Sequence, residues 1–325
     1  MRASVVVITR NHSSYLVEAL TALSRQDHPD FEVVVVDSSE GEEREKSAQI
    51  TEQFHAKYVL EPRRGQSLAR NSALPSCTGE VIVFTDDDCL PEKDWLSRIL
   101  QNYSSPGIWG CTGRIIPHRR ETAADLFEEV AGQDLGEIRR VFTPDDVRFT
   151  IGLVLSNLGK VFAKHMKGKG LAPWNVGHGS SMSFRRIALD QLGGFDNRRG
   201  AGAPLQSGED LDMTYRVLRS GHSIVYEPTA VVRHNHHRMT KEEVFSTRYD
   251  YSRGAAALMY ENRGNPLMFC MLCGRYVQLY IKITQYKLTG KKDLARVFSE
   301  DLRGVRVGIA AQKVTPRDPK LKPDL

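Results

Sequence analysis

Cysteine is too sparse and too scattered in this chain to build a disulfide framework. There are five in 325 residues, Cys77, Cys89, Cys111, Cys270 and Cys273, and an odd number at wide spacing fits a reducing compartment. Cys270 and Cys273 form a CxxC without a second pair to complete a metal site, and in their apolar stretch they read as buried structural thiols. No run approaches the ~18 apolar residues that span a bilayer. The nearest, 267–283, is interrupted by Arg275 and Gln278. A secretory leader is not expected either, because Met1 to Ser4 runs straight into the short apolar segment Val5-Val6-Val7-Ile8. These features point to a cytoplasmic protein, with peripheral contact at the inner face of a membrane left open. Charge of one dominant sign is also missing. Lys and Arg total 45 against 40 Asp and Glu, a net charge of +5. The basic residues are dispersed, without the aromatic-studded basic tract of a nucleic-acid binder. Nucleic acid is therefore not an expected partner, whereas small anions such as nucleoside diphosphates are.

What is present is an alternation of buried strands and amphipathic helices. Ser4–Ile8 is a β-branched run and reads as a strand. Ser13 or Ser14 can cap a helix that places Leu16, Ala19, Leu20 and Leu23 on one face. Phe31–Val36 is a second strand, ending at Asp37, and Glu42–Phe54 a charged surface helix. Lys57–Leu60 reads as a strand, Gly65–Ala73 as a helix, Glu80–Phe84 as a strand, and Pro91 as the start of a helix carrying Trp95, Leu96, Ile99 and Leu100. This β-α-β-α-β-α-β order predicts an α/β fold, a Rossmann-like, mainly parallel sheet flanked by helices. Such sheets bind ligands beyond the carboxyl ends of their strands, where Asp37 and Asp86-Asp87-Asp88 fall. Later, Ile108–Ile116 and Thr229–Arg233 read as strands, 121–165 as helical or irregular, and the chain beyond 240 as helical.

Three features carry chemistry. The triplet Asp86-Asp87-Asp88 packs like charges after a buried strand; a divalent cation relieves that repulsion, and carboxylate oxygens suit Mg²⁺ or Mn²⁺. A solvated acidic turn is the competing reading. Gly208-Glu209-Asp210-Leu211-Asp212 opens a helix, either as dipole-stabilising acids or as a general base at the rim of the sheet. His234-Asn235-His236-His237 follows a strand and could ligate the same cation. A nucleotidyltransferase would use a comparable acidic site, but Thr9-Arg10-Asn11-His12 is not its glycine-rich phosphate loop. A nucleotide-sugar sensor without activity would be expected to lack the base or a metal ligand.

In this order the motifs resemble those of family 2 glycosyltransferases with the A-type fold. The resemblance runs through Val5-Val6-Val7-Ile8-Thr9-Arg10-Asn11, Val35-Val36-Asp37, Gly65 with Ala69-Arg70-Asn71, and Phe84-Thr85-Asp86-Asp87-Asp88-Cys89-Leu90-Pro91. It continues through Gly179-Ser180-Ser181-Met182-Ser183-Phe184-Arg185, Gly193-Gly194-Phe195-Asp196, Gly208-Glu209-Asp210 and Val231-Val232-Arg233-His234. It covers roughly residues 1–237. It implies an inverting transfer of a sugar from a nucleotide sugar, UDP-linked by preference, to a hydroxyl of a glycan, lipid-linked or small-molecule acceptor in polysaccharide, glycolipid or cell-envelope glycan synthesis. Thr9, Arg10, Asp37, Arg70, Asp86 and Asp87 would bind the donor nucleotide. Asp88, His234 and Asp86 would hold Mn²⁺ or Mg²⁺, and Asp210 would be the catalytic base. Glu209, Met182 and Trp174 would lie on the acceptor side. Ser180-Ser181 replaces the residues usual before Met182, so the acceptor is not specified. Trp174 reads equally as a platform for a sugar face and as a core aromatic.

The expected organisation is a catalytic domain over 1–239, with a nucleotide-binding half (1–105) and an acceptor-binding half (106–239). A helical extension over 240–313 and a disordered tail over 314–325 follow. Between Arg263 and Lys292, basic residues Arg275, Lys282, Lys287, Lys291 and Lys292 interleave with Phe269, Tyr276, Tyr280 and Tyr286. Such a helix either lies in a membrane interface or packs on the catalytic domain or on a second copy.

Overall fold

The computed structural model describes residues 1–118, 134–147, 176–235, 240–316 and 319–321. Trp174, His236 and His237, and most of 121–165, lie outside them. The β-branched run at the start becomes β1 (Ala3–Thr9), whose Val5, Val6 and Val7 are wholly buried because helices cover both faces of the sheet. Helix α1 (Ser13–Leu23) buries Leu16, Ala19, Leu20 and Leu23 at helical spacing. Neither serine caps it. His12 holds the N-cap position without a side-chain cap, and Glu43 reaches across to accept the Ser13 N–H at 3.0 Å. There follow β2 (Phe31–Asp37), α2 (Gly41–Gln53), β3 (Lys57–Leu60), α3 (Gln66–Ala73) and β4 (Val81–Asp86).

Pro91 does not begin a helix. It ends a short strand, β5 (Cys89–Pro91), and α4 (Trp95–Leu100) starts four residues later behind Asp94. Tertiary pairing decides this: β5 is captured as an antiparallel partner by the end of a late strand. That strand is β9 (Ser223–His234). It comes after β6 (Ile108–Pro117), β7 (Arg140–Phe142), β8 (Met182–Arg185), α5 (Arg186–Leu192) and α6 (Glu209–Arg219).

The strands form one sheet in the order β3-β2-β1-β4-β8-β6-β9-β5, with β7 on β9. The β3-β2-β1-β4 half is parallel, and β6 is parallel to β9, but β8 runs antiparallel between β4 and β6. The sheet is thus mixed where the strand-helix alternation suggested a mainly parallel one. Two reversals restore the direction, so β1, β2, β4, β6 and β9 all point the same way. Their carboxyl ends share one edge with the start of β8.

Three long helices complete the described chain: α7 (Lys241–Glu261), α8 (Pro266–Leu288) and α9 (Lys292–Val314). Thr240 and Glu243 form a capping box at the start of α7. The bundle is tied to the catalytic domain by buried charge. Glu261 accepts from Arg198 and Arg199, and both arginines also pair with Asp196. One face of α8 buries Leu267, Met268, Met271, Leu272 and Leu279. The opposite face exposes Phe269, Val277, Tyr280, Ile281 and Leu288. Cys273 lies exposed on that outer side and Cys270 is half-buried, so the CxxC is not the buried pair that its apolar surroundings suggested. Among the described residues no helix is long and apolar enough to cross a membrane. Beyond Val314, where disorder was expected, Leu321 is buried, and residues 320–321 lie against Gly193 at the end of α5.

The amino ends of the strands are fastened by Glu32. Its Oε1 accepts from Ser4 Oγ at 2.7 Å and from Thr78 N at 2.6 Å, and its Oε2 lies 2.8 Å from Lys57 Nζ. Burial alone would raise its pKa, but Lys57, Ser4 and Thr78 together bring it down from 4.5 to about 2. A depressed carboxylate pKa stabilises the fold above the unfolded value and loses that contribution as pH falls through the folded one. Glu32→Gln should therefore cost about 1–3 kcal/mol at pH 7. In urea unfolding, the difference from wild type should close as the pH is lowered from 4.5 toward 2.

Candidate active site

The strand directions bring chain-distant residues to one edge. Thr9 ends β1, Asp86 ends β4, His234 ends β9, and Gly179–Ser181 lead into β8. Helix α6 starts beside them with Glu209, Asp210 and Asp212 in its first turn. Thr9, Asp86, Gly179, Ser180, Glu209, Asp210 and His234 line a cleft of about 970 Å³ that extends onto the inner surfaces of α7, α8 and α9.

Asp88 and His234 meet because β5 pairs antiparallel with β9, with Cys89 opposite His234 and the Asn235 N–H donating to Asp88 O at 2.8 Å. Asp88 Oδ2 and His234 Nε2 are 3.1 Å apart. Cys89 Sγ belongs to the same cluster, in which the ligand atoms lie within 4.8 Å of one another. Cys89 is wholly buried and its thiol points to Asp88 Oδ1 at 3.6 Å, supporting the carboxylate from beneath. One carboxylate and one imidazole at the mouth of a cleft fit an Mn²⁺ or Mg²⁺ ion that keeps open positions for phosphate oxygens.

The other two aspartates of the triplet also line the cleft and are held by their neighbours. Asp87 is buried, accepts from Thr9 Oγ1 at 2.6 Å and lies 3.7 Å from His12 Nδ1. Asp86 accepts from Ser180 Oγ at 2.8 Å and lies 3.5 Å from Arg70 Nη2. It stands outside the Asp88–Cys89–His234 cluster. Burial raises the pKa of both.

Arg70, expected as a nucleotide contact, is the hub of this edge and is engaged by its carboxylates. It is completely buried on α3, donates to Glu209 Oε1 at 2.8 Å, and sits over the Phe195 ring at 5.6 Å. The Gln66 amide satisfies both partners when its nitrogen faces Glu209 Oε1 at 2.9 Å and its oxygen faces Arg70 Nη2 at 3.0 Å. Burial disfavours the guanidinium charge, but Glu209, Asp86 and Asp210 more than reverse this and raise its pKa. Glu209 lines the cleft and is held there by Arg70.

The three acids of α6 differ in their partners. Asp212 pairs with Arg216 at 2.8 Å and lies 4.0 Å from Arg199. Asp210 accepts backbone N–H groups, from Leu211 at 2.7 Å and from Gly179 at 3.2 Å. Among the described residues no side-chain cation pairs with it directly, and burial raises its pKa. The turn that presents it needs glycine. Gly208 has φ +86°, and a Cβ there would lie 3.2 Å from the Gly254 backbone of α7.

Of the remaining expected residues, Thr9 and Arg10 line the cleft, with Arg10 also paired to Glu40 at 3.2 Å. Asp37 does not reach it. It is 0% exposed, and its oxygens accept from Ser39 N at 2.7 Å and Tyr58 Oη at 2.8 Å, so it shapes the 38–40 loop. Met182 lies in the hydrophobic core beside Phe184 rather than on the cleft. Ser180, Gln66 and the basic wall formed by Arg248, Arg275 and Lys282 were missed. Arg275 and Lys282 stood out in the sequence only as a basic pattern on a helix, and nothing local ties them to a site nearly two hundred residues upstream.

Removing one partner of a buried ion pair strands the other. Arg70→Met should therefore destabilise the protein by about 3–5 kcal/mol at pH 7. The Glu209 pKa, already raised by burial, should climb further without the guanidinium. A raised carboxylate pKa costs stability above the unfolded value of 4.5. The deficit should consequently shrink in urea unfolding as pH falls into the carboxylate range. A deficit independent of pH would count against charge compensation.

Residues 4–166 match the family described as "Glycosyl transferase family 2". The chain is 24% identical over 269 residues to the pre-mycofactocin glycosyltransferase of Mycobacterium tuberculosis, covering 82% of this chain and 49% of that one. It thus spans about half the length of that curated relative. Among solved structures it resembles the mannosyltransferase PcManGT from Pyrobaculum calidifontis, solved with GDP-mannose and Mn²⁺. The TM-score is 0.59 at 20% identity, over 98% of this chain and 77% of that one. It also resembles residues 1–349 of Staphylococcus aureus TarS, with TM-score 0.53 at 18% identity over 96% and 91% of the two chains. With its mixed sheet, its edge of carboxylates and these matches, the chain is a member of glycosyltransferase family 2 with the A-type fold.

Proposed function

We propose that this glycosyltransferase is metal-dependent and inverting, and transfers a sugar from a nucleoside-diphosphate sugar to an acceptor hydroxyl. The observation that carries this is the Asp88–His234 pair, 3.1 Å apart, on the same cleft as Asp210. PcManGT, a neighbour in fold, was solved with a nucleotide sugar and Mn²⁺, which supports a divalent cation here. Asp88 Oδ2 and His234 Nε2 would hold it, with Asp86 close by. Once bound, such a cation neutralises the diphosphate leaving group. The UDP preference rests on the family resemblance alone, so GDP is the natural second arm of any binding test.

The chain's own residues supply the rest. Thr9, Arg10 and Ser38 line the cleft, where they would meet the donor nucleotide. Arg70 holds Glu209 and so fixes the first turn of α6. Asp210, whose two oxygens accept backbone N–H groups and, among the described residues, pair directly with no arginine, is then the carboxylate assigned to take a substrate proton, because Glu209 and Asp212 are engaged by arginines. It would accept the acceptor's hydroxyl proton as that oxygen attacks the anomeric carbon from the face opposite the diphosphate.

Two variants measured side by side test the division of labour. Asp88→Ala should abolish Mn²⁺-dependent UDP affinity in calorimetric titration, and unchanged affinity would sink the metal assignment. Asp210→Asn should keep that affinity while donor turnover falls by about 10²–10⁴-fold. Near-normal turnover in Asp210→Asn would reassign the base.

A further inference from the structure

The cleft continues from Asp210 into the C-terminal helices, and there its wall is basic. Arg248 of α7, Arg275 of α8 and Lys282 of α8 all line it. Among the described residues, Arg248 and Arg275 share one buried carboxylate partner, Asp301 of α9, which is 0% exposed. Asp301 Oδ2 accepts from Arg248 at 2.6 Å and from Arg275 at 3.0 Å, and its Oδ1 accepts from Ser252 Oγ at 2.9 Å. Two guanidiniums thus share a single carboxylate, and Lys282, about two turns further along α8 with its Nζ 5.5 Å from the Tyr286 ring centroid, lines the same cleft. Arg248 Nε is buried without a hydrogen-bond partner among the described residues.

An excess positive charge inside a protein is costly unless an anion compensates it. The charge on Arg275 already shows that cost. Burial lowers its pKa, Asp301 counteracts this in part, and the neighbouring Arg248 pushes it down further. Paired guanidiniums, with an ammonium further along the same wall, are a donor set suited to a phosphate group. The surrounding wall is apolar, with Ala255, Met259, Leu272 and Phe298. The site therefore also tolerates a hydrocarbon next to the anion.

Its place in the cleft separates it from the donor end. Gly254 of α7 abuts Gly208, two residues before Asp210. Arg248 lies six residues earlier on the same helix, roughly 9 Å along its axis. Arg248 and Asp210 thus line one cleft from neighbouring elements.

We infer that Arg248, Arg275 and Lys282 form an acceptor subsite for a phosphate group, so that the acceptor is a phosphate-bearing molecule. This rests on the transferase reading for the word acceptor, but the phosphate site itself stands on the cluster. The phosphate belongs either to a lipid-linked acceptor or to a soluble one, and the two share the same contacts.

The test uses the full chain and three probes: inorganic phosphate, a short prenyl phosphate below its aggregation concentration, and the matching prenyl alcohol. Each is titrated calorimetrically with and without UDP and Mn²⁺. The phosphate probes should bind in both conditions, and the prenyl alcohol should bind about 10-fold more weakly or worse than its phosphate. Lys282→Gln and Arg275→Gln should each weaken prenyl phosphate by about 10-fold or more, while leaving UDP–Mn²⁺ affinity unchanged. Tighter binding of prenyl phosphate than of inorganic phosphate assigns the site to lipid-linked acceptors. Equal binding assigns it to soluble ones. Should Arg275→Gln misfold, the half-buried Lys282 decides. Wild-type protein that binds no phosphate probe, alcohol and phosphate binding alike, or Lys282→Gln without effect would each overturn the proposal. Failure of UDP and GDP to bind with Mn²⁺ would instead overturn the transferase reading and leave the phosphate result intact.

Discussion

A guanidinium with no exposure to solvent sits among the carboxylates of this edge, and the active-site geometry depends on it. Burial pushes the pKa values of Asp86, Glu209 and Asp210 upward, and the Arg70 charge pulls each of them back. Without that cation, several acids could not stay ionised side by side in a partly dry cleft. Arg70 is also geometric. It comes from α3 between β3 and β4, and by gripping Glu209 it docks the start of α6 against the first half of the sheet. Gln66 from the same helix and Phe195 beneath the guanidinium plane restrict it further. Arg70 and the other arginines thus claim Glu209 and Asp212, and leave Asp210 to backbone N–H groups.

The same edge shows how a mixed sheet serves a single site. Because β8 runs backwards between β4 and β6, its leading segment arrives beside the carboxyl ends of its neighbours. Ser180 then reaches Asp86, and the Gly179 N–H reaches Asp210. The hairpin-like return of β5 onto β9 performs the corresponding task for Asp88 and His234, which are 146 residues apart in the chain. The C-terminal helices are part of this construction. Ser207 donates to the Asp250 carbonyl of α7, and Glu261 closes the Arg198–Arg199–Asp196 network. The loop before Asp210 is therefore held from outside the sheet as well as from within.

Much of this was legible in the sequence, for identifiable reasons. Runs such as Val33 to Val36 admit little but a buried strand, and the period of Leu16, Ala19, Leu20 and Leu23 specifies a helix face. The family's motif order located the edge. What stayed hidden depends on partners rather than on local pattern. Pro91 reads as a helix start until β9 pairs with β5. Asp37 ends its strand where a ligand-facing acid is expected, yet Tyr58 and Ser39 turn it inward. Arg70 is expected from the resemblance at the donor nucleotide, and only the fold reveals that it is enclosed among carboxylates. The antiparallel insertion of β8 leaves no trace in a strand-helix alternation.

The central claim is that Asp88 and His234 make the cation site of a nucleotide-sugar transferase. Crystals soaked with Mn²⁺ and a nucleoside diphosphate test it most directly, through anomalous scattering. The account predicts a single strong peak within bonding distance of Asp88 Oδ2 and His234 Nε2, with a diphosphate oxygen on its open side. A peak elsewhere in the cleft, or a bound nucleotide with no cation between it and this pair, would contradict it.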